Sequence, residues 1–342
     1  MRPAIFRHRY RMLLSATTVV VLVSVTAAVA QKQSGKAQAA HQPPPYWAYA
    51  VNPPADASTG DAKPADDSPQ HVPGSDATFT LSRIGDLYEV PDWHPNGHPA
   101  MPAVVAHGRK PKVYACGYCH LPNGQGRPEN SSLAGLSVDY MVQQMAEFKS
   151  GERKSSVPAA LPVATMIAKE TLANDKEIQE AVAYFSGLKP KPWIRVVETN
   201  TVPKTHVAGW MLVVSEPVAM EPIGHRIIET PENLERTELR DDTSGFIAYV
   251  PVGSVKKGKD LVTTGGAGKT IVCATCHGTG LKGLGNVPSI AGRSPSYIVR
   301  QLYDIKNGVR RGTATGLMKQ PVAKLTLDDM IAIAAYTSSL HP

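Results

Sequence analysis

All four cysteines of this 342-residue chain fall into two copies of one pattern, Cys116-Gly117-Tyr118-Cys119-His120 and Cys273-Ala274-Thr275-Cys276-His277. Cys-x-x-Cys-His is the attachment signature of c-type haem. Two sulfurs form thioethers to the porphyrin, and the adjacent imidazole is placed to ligate its iron. A redox disulfide or half of a zinc site also uses Cys-x-x-Cys. Neither needs a histidine directly after the second cysteine, and here it occurs twice. Zinc-ribbon pairs lie about 15–20 residues apart, whereas these begin at positions 116 and 273. The expectation is two covalently bound haem c groups with their iron, attached at Cys116, Cys119, Cys273 and Cys276, with His120 and His277 as axial ligands.

An iron held by one histidine needs a second axial ligand or stays open. Aligning the chain outward from the motifs supplies candidates. With His120 set against His277, Gly135 falls on Gly292, Tyr140 on Tyr297, Gln144 on Gln301, Gly151 on Gly308 and Arg153 on Arg310, with no gap. The halves are therefore a duplicated domain. Met166 precedes Asn174 by eight residues, and Met318 precedes Thr326 by eight. Each is followed by Ala-Tyr, ending at Tyr184 and Tyr336. Met141 and Met145 lie on an apolar stripe and read as core, and Met330 has no counterpart in the first copy. Met166 and Met318 are the expected sixth ligands. A thioether opposite histidine raises the reduction potential and suits electron transfer.

The elements that must position these residues are mostly helical. Val138, Met141, Val142 and Met145 recur at i, i+3, i+4, i+7, as do Ile298, Leu302 and Ile305 in the second copy. Gly151 and Gly308 are placed to end those helices. Asn174 with Glu177, and Thr326 with Asp329, read as capping boxes of a later helix in each copy. Residues 190–254 differ: Trp193–Glu198, Trp210–Val214 and Phe246–Val250 are β-branched and aromatic runs that predict short strands. That stretch is long for a passive connection and reads as either a spacer or a docking or shielding surface.

Residues 1–30 read as an export signal or a membrane anchor: basic Met1–Arg11, an apolar run over 12–30, and Ala28-Val29-Ala30 before Gln31. The run is nearly long enough to span a bilayer, so a membrane tether through 12–30 stays open. Either way the globular part is expected in the periplasm. Residues 31–77 are rich in Pro, Ala, Asp and Ser and read as a linker, with Tyr46-Trp47-Ala48-Tyr49 expected to pack on a folded domain. Without the leader, 32 basic residues face 29 acidic ones, so no nucleic-acid partner is expected. His94 and His98 sit among prolines that break the helix a metal pair would need, and read as surface or packing residues. Gly265-Gly266-Ala267-Gly268-Lys269-Thr270 is not a P-loop, because Thr263 stands where that pattern needs glycine.

With these residues in place, both halves resemble class I cytochrome c domains, and the pair resembles the di-haem cytochrome c4 family. The resemblance covers about residues 100–188 and 255–342. It implies a mainly α fold: two tandem small helical domains (78–189 and 255–342) separated by a β-rich insertion (190–254). Each domain would have an N-terminal helix, a middle helix, a ligand Met on a loop and a C-terminal helix. It also implies electron carriage between redox protein partners, a dehydrogenase donor and an oxidase or cytochrome acceptor. The Pro-rich region before residue 100 and the insertion depart from the compact c4 pattern. The competing readings are a di-haem enzyme of peroxidase or thiosulfate dehydrogenase type, and a fixed cytochrome subunit of a periplasmic dehydrogenase or oxidase. No nucleophile–base constellation is seen, and a methionine in both copies favours carriage over catalysis.

Overall fold

The computed structural model describes residues 43–53 and 67–342. The expected leader, the possible tether at 12–30 and much of the expected linker lie outside the described residues. Among the described residues, no helix is long and apolar enough to cross a membrane.

Among the described residues, twelve α-helices and seven strands follow in order. α1 (Leu81–Ile84) and α2 (Ala103–Ala106) lead to α3 (Cys116–His120), which is the first motif itself. α4 (Val138–Lys149), α5 (Leu161–Ala168) and α6 (Asp175–Gly187) complete the first repeat. β1 (Ile194–Thr199), β2 (Thr201–Pro203), β3 (Thr205–Ala208), β4 (Met211–Val214), β5 (Met220–Pro222), β6 (Ile228–Pro231), α7 (Leu234–Glu238) and β7 (Phe246–Pro251) lie between the repeats. The second repeat holds α8 (Ser254–Thr264), α9 (Ala274–His277), α10 (Pro295–Lys306), α11 (Lys319–Ala323) and α12 (Leu327–Ser339).

The helix ends follow the sequence closely. Both capping boxes form: the Asn174 side chain accepts from Glu177 N, and that of Thr326 from Asp329 N, with each acid reaching back to the cap's own N–H. Gly151 and Gly308 take φ of 73° and 68° just beyond α4 and α10, a left-handed conformation that costs glycine little. The N-terminal helices of the repeats differ. α8 runs eleven residues, but α2 is a single turn started by Pro102, so the proline-rich approach leaves the first repeat only a stub. Gly258 lets α8 lie against α12, since a Cβ there would stand 1.9 Å from the Ala332 carbonyl oxygen.

β1 pairs in parallel with β7, and β7 pairs antiparallel with β6. β2 pairs with β5 and β3 with β4, both antiparallel. The run expected as a strand from Trp210 begins one residue later. Gly209 and Trp210 both have positive φ (55° and 60°) and form the two-residue turn of the β3–β4 hairpin, the twist such hairpins favour.

The insertion is not a passive spacer. Val250 and partly buried Val196 join the core built by α8, α10 and α12. On its other side, Gln125 Nε2 donates to Ser244 O at 2.9 Å and Asn123 donates to Asp242 O. The Tyr46–Tyr49 knot packs as expected, and it packs on the second repeat. Ala48 and Tyr49 are buried in that core. The Tyr49 hydroxyl donates to Asp304 Oδ1 at 2.7 Å, and Arg300 donates to Ala48 O at 2.5 Å.

Candidate functional site

Each motif forms one short helical turn with its histidine at the C-terminal end, in α3 and α9. The imidazoles are held alike. His120 Nδ1 meets Ser131 O at 2.8 Å, and His277 Nδ1 meets Pro288 O at 2.8 Å. Both carbonyls lie eleven residues beyond their histidine. A carbonyl partner fixes the proton on Nδ1, which leaves Nε2 with a lone pair and no partner among the described residues. Burial lowers the His120 pKa to about 4 and pulls His277 down as well, so both rings are neutral, as an iron ligand requires. No disulfide joins the four cysteines, so each sulfur is available for a thioether. Burial pushes Cys119 and Cys273 up to about 11 and Cys116 up as well.

The expected methionine ligands occupy different local structures. Met318 closes a 3-10 turn, Ala314–Met318, and packs partly buried on the second core. Met166 does not lie on a loop. It sits inside α5, which Pro162 starts from its first turn and which Ala164, Met166 and Ala168 favour as good helix formers. Four residues beyond each methionine the repeats diverge. The first has Glu170, buried with one backbone donor, Tyr114 N at 3.3 Å. The second has Val322, fully buried. Burial raises the Glu170 pKa to about 7.

The residues that aligned the halves in sequence meet in space. Arg153 Nη1 donates to Gln144 Oε1 of its own repeat at 2.8 Å, and Nη2 donates to the Tyr297 hydroxyl of the other at 3.0 Å. Reciprocally, Arg310 Nη1 donates to Gln301 Oε1 at 2.8 Å, and Nη2 to the Tyr140 hydroxyl at 3.1 Å. The backbones of Arg153 and Arg310 form an antiparallel bridge. The repeated Tyr, Gln and Arg thus build the joint between the halves. Arg293 adds to it by donating to Ser132 O at 2.7 Å.

Two features escaped the sequence. Arg240, from the insertion, donates to the Tyr118 carbonyl at 2.8 Å, with its guanidinium carbon 3.6 Å from the Tyr118 ring centroid. It therefore lies on the outer face of the first motif. His94 is a packing residue, as expected, with an acidic partner. Its Nε2 lies 3.1 Å from Asp241 Oδ1, and the donor atoms of His94, Asp241 and Asp242 lie within 4.8 Å of one another. Asp241 also takes Arg236 at 2.7 Å and the N–H and hydroxyl of Thr243, so that carboxylate is satisfied by protein donors, whereas burial raises the Asp242 pKa to about 6. His98 is nearly enclosed, bonded to Asp92 and the Tyr184 hydroxyl at 3.1 Å each. Neither the Arg240 nor the His94 contact is local: they join residues 122 and 147 positions apart. The Gly265–Thr270 loop caps α8, and Lys269 pairs with Asp329 at 3.0 Å, which leaves it no phosphate-binding role.

Comparison with known proteins places these features. The family model "Cytochrome c" matches residues 255–341. Cytochrome c4 of Azotobacter vinelandii is 25% identical over 251 residues, covering 71% of this chain and 91% of the relative. A thiosulfate dehydrogenase electron acceptor of Thiomonas intermedia is 26% identical over 232 residues, 67% of this chain and 80% of the relative. Cytochrome c-554(548) of Halomonas halodenitrificans is 35% identical over 88 residues, 25% of this chain and 96% of the relative. With the twin motifs and their matched histidines, these likenesses show that the chain belongs to the cytochrome c family, is similar to cytochrome c4, and is an electron-transfer protein with covalently bound haem c.

Proposed function

We propose that this chain is a periplasmic di-haem cytochrome that carries electrons between redox protein partners by outer-sphere transfer. Haem c, when bound, supplies a one-electron ferric–ferrous couple. Cys116 and Cys119 would bind one group, and Cys273 and Cys276 the other. His120 and His277 would present Nε2 to the irons, and Met166 and Met318 would supply a thioether ligand to each. The observation that carries this reading is the matched pair of buried, neutral imidazoles, each oriented through Nδ1 by a carbonyl eleven residues on. Such an outer partner fixes ring orientation and strengthens the ligand.

The domain plan of this proposal has a leader or anchor at 1–30, a linker at 31–77, haem units at 78–189 and 255–342, and the insertion at 190–254. The reciprocal arginines would hold the two units in one fixed relation, which suits passage of an electron between them. One relative is named for accepting electrons from thiosulfate dehydrogenase, and a dehydrogenase donor of that kind, with an oxidase or cytochrome acceptor, fits this chain. Alkaline pyridine spectra should give two haems per chain. A redox titration followed by absorption and paramagnetic resonance should show two low-spin irons. A single haem, or a high-spin iron with an exchangeable ligand, would sink the proposal. Fractionation should place the mature protein outside the cytoplasm.

A further inference from the structure

The two motifs are alike in sequence but not in cover. In the first, Gly117 and Tyr118 are buried and neither cysteine is exposed. A Cβ on Gly117 would meet Val105 O at 3.1 Å and Val90 Cγ2 at 3.2 Å. Tyr118 packs with Val90 and Ala115, beside Leu87 and Met101, and Arg240 lies over its ring. The proline-rich approach and the insertion therefore close the outer face of the first motif. In the second, Ala274, Thr275 and Cys276 are all exposed. With Ala274 and Thr275 uncovered by protein, a haem joined to Cys273 and Cys276 through short thioether links would present that edge toward solvent.

Charge follows the same division. Residues 78–189 carry 11 basic and 11 acidic side chains, whereas residues 255–342 carry 12 basic and 4 acidic. Lys282, Lys319 and Lys324 are exposed. Lys324 reaches Gly268 O at 3.1 Å, on the loop leading into the second motif, and Lys319 follows Met318. Exposed apolar side chains flank the motif and the methionine in sequence: Ile271, two residues before Cys273; Leu284, whose Cβ approaches Gly278; and Leu317, 74% exposed and next to Met318. Exposed apolar side chains interspersed with basic ones are the make-up of a transient protein interface.

Resting on the di-haem reading, we propose that this chain exchanges electrons with its partners across the face of the second motif alone. The matching partner is a one-electron redox protein whose own face is acidic around an apolar centre. One electron crosses per encounter, and partner and cytochrome change by one unit in opposite directions. Steering by the basic face speeds encounter and weakens with salt.

The test uses the full holoprotein with anionic probes. Amide broadening by hexacyanochromate(III) should map to residues around Ile271–Leu284 and Leu317–Lys324 and spare Tyr118–Asn130. In stopped flow, Lys282→Glu with Lys324→Glu should slow oxidation of both haems by hexacyanoferrate(III) by about tenfold or more at low salt. Lys110→Glu with Lys112→Glu, on the first repeat, should leave both rates unchanged. Lys319→Glu alone, with no bonded partner among the described residues, serves if the double variant folds poorly. Broadening centred on the first motif, or a fast first-repeat phase that survives the second-repeat reversals, would overturn the proposal. Haem count on the same samples separates this from failure of the di-haem reading, since two intact haems with the wrong map refute only the port.

Discussion

Met166 and Met318 hold the same place relative to their capping residues, yet one lies within a helix and the other ends a 3-10 turn. If both are ligands, Met318→Ala should retain both haems, lose part of the near-infrared thioether-to-iron band and lower one reduction potential. An unchanged band and unchanged potentials would remove Met318 from the site. The neighbouring positions differ in chemistry. Glu170 is flanked by Lys169 and Glu177, with Arg109 bonded to Glu177 and to Leu172 O, and Lys149 bonded to Ala173 O. Burial still raises it from 4.5 to about 7. Between those values the unfolded chain loses this proton while the folded chain keeps it. Stability therefore falls as pH rises through the window, and the penalty is complete above it. Glu170→Gln should flatten that slope and gain about 1–2 kcal/mol at pH 8. Denaturation midpoints at pH 5 and pH 8 check this, and equal losses in both proteins would contradict it.

Among the elements, α8 and α12 depend on one close approach. With the Ala332 carbonyl 1.9 Å from where a Cβ on Gly258 would stand, Gly258→Val must push the helices apart. It should cost about 3 kcal/mol or more, read as a lowered thermal midpoint. The same mutation at an open glycine, Gly316, should cost far less. Asp329 also ties these elements: it caps α12 and pairs with Lys257 at 2.8 Å and Lys269 at 3.0 Å. These partners hold its carboxyl below the usual range. Most of this scale was legible in sequence because its signals are local. A capping box spans four residues, and a terminating glycine follows its helix. The haem motifs were legible for the same reason. Arg240 on Tyr118, His94 beside Asp241 and the Tyr46–Tyr49 knot on α10 were not, because each joins segments that only the finished fold brings together. The helix around Met166 was hidden by the expectation of a loop, although Pro162 marks its start.

Across the whole molecule, the insertion and the chain before α2 close one motif and leave the other open, while repeated residues lock the halves together. Tyr140→Phe and Tyr297→Phe each keep the ring and remove one acceptor of an arginine. Each should lower stability by about 1–2 kcal/mol, measured by chemical denaturation of the holoprotein, and a neutral result in both would mean the joint is held elsewhere. At the centre of this joint the arginine–tyrosine contact occurs twice, with Arg153 serving Tyr297 as Arg310 serves Tyr140. That is the rule of an isologous two-fold interface, here formed between two halves of one polypeptide as if a homodimer had been fused. A surface of this kind is complementary to itself. A solitary second half would therefore carry both sides of the contact, and should pair with another copy of itself through Tyr297 and Arg310.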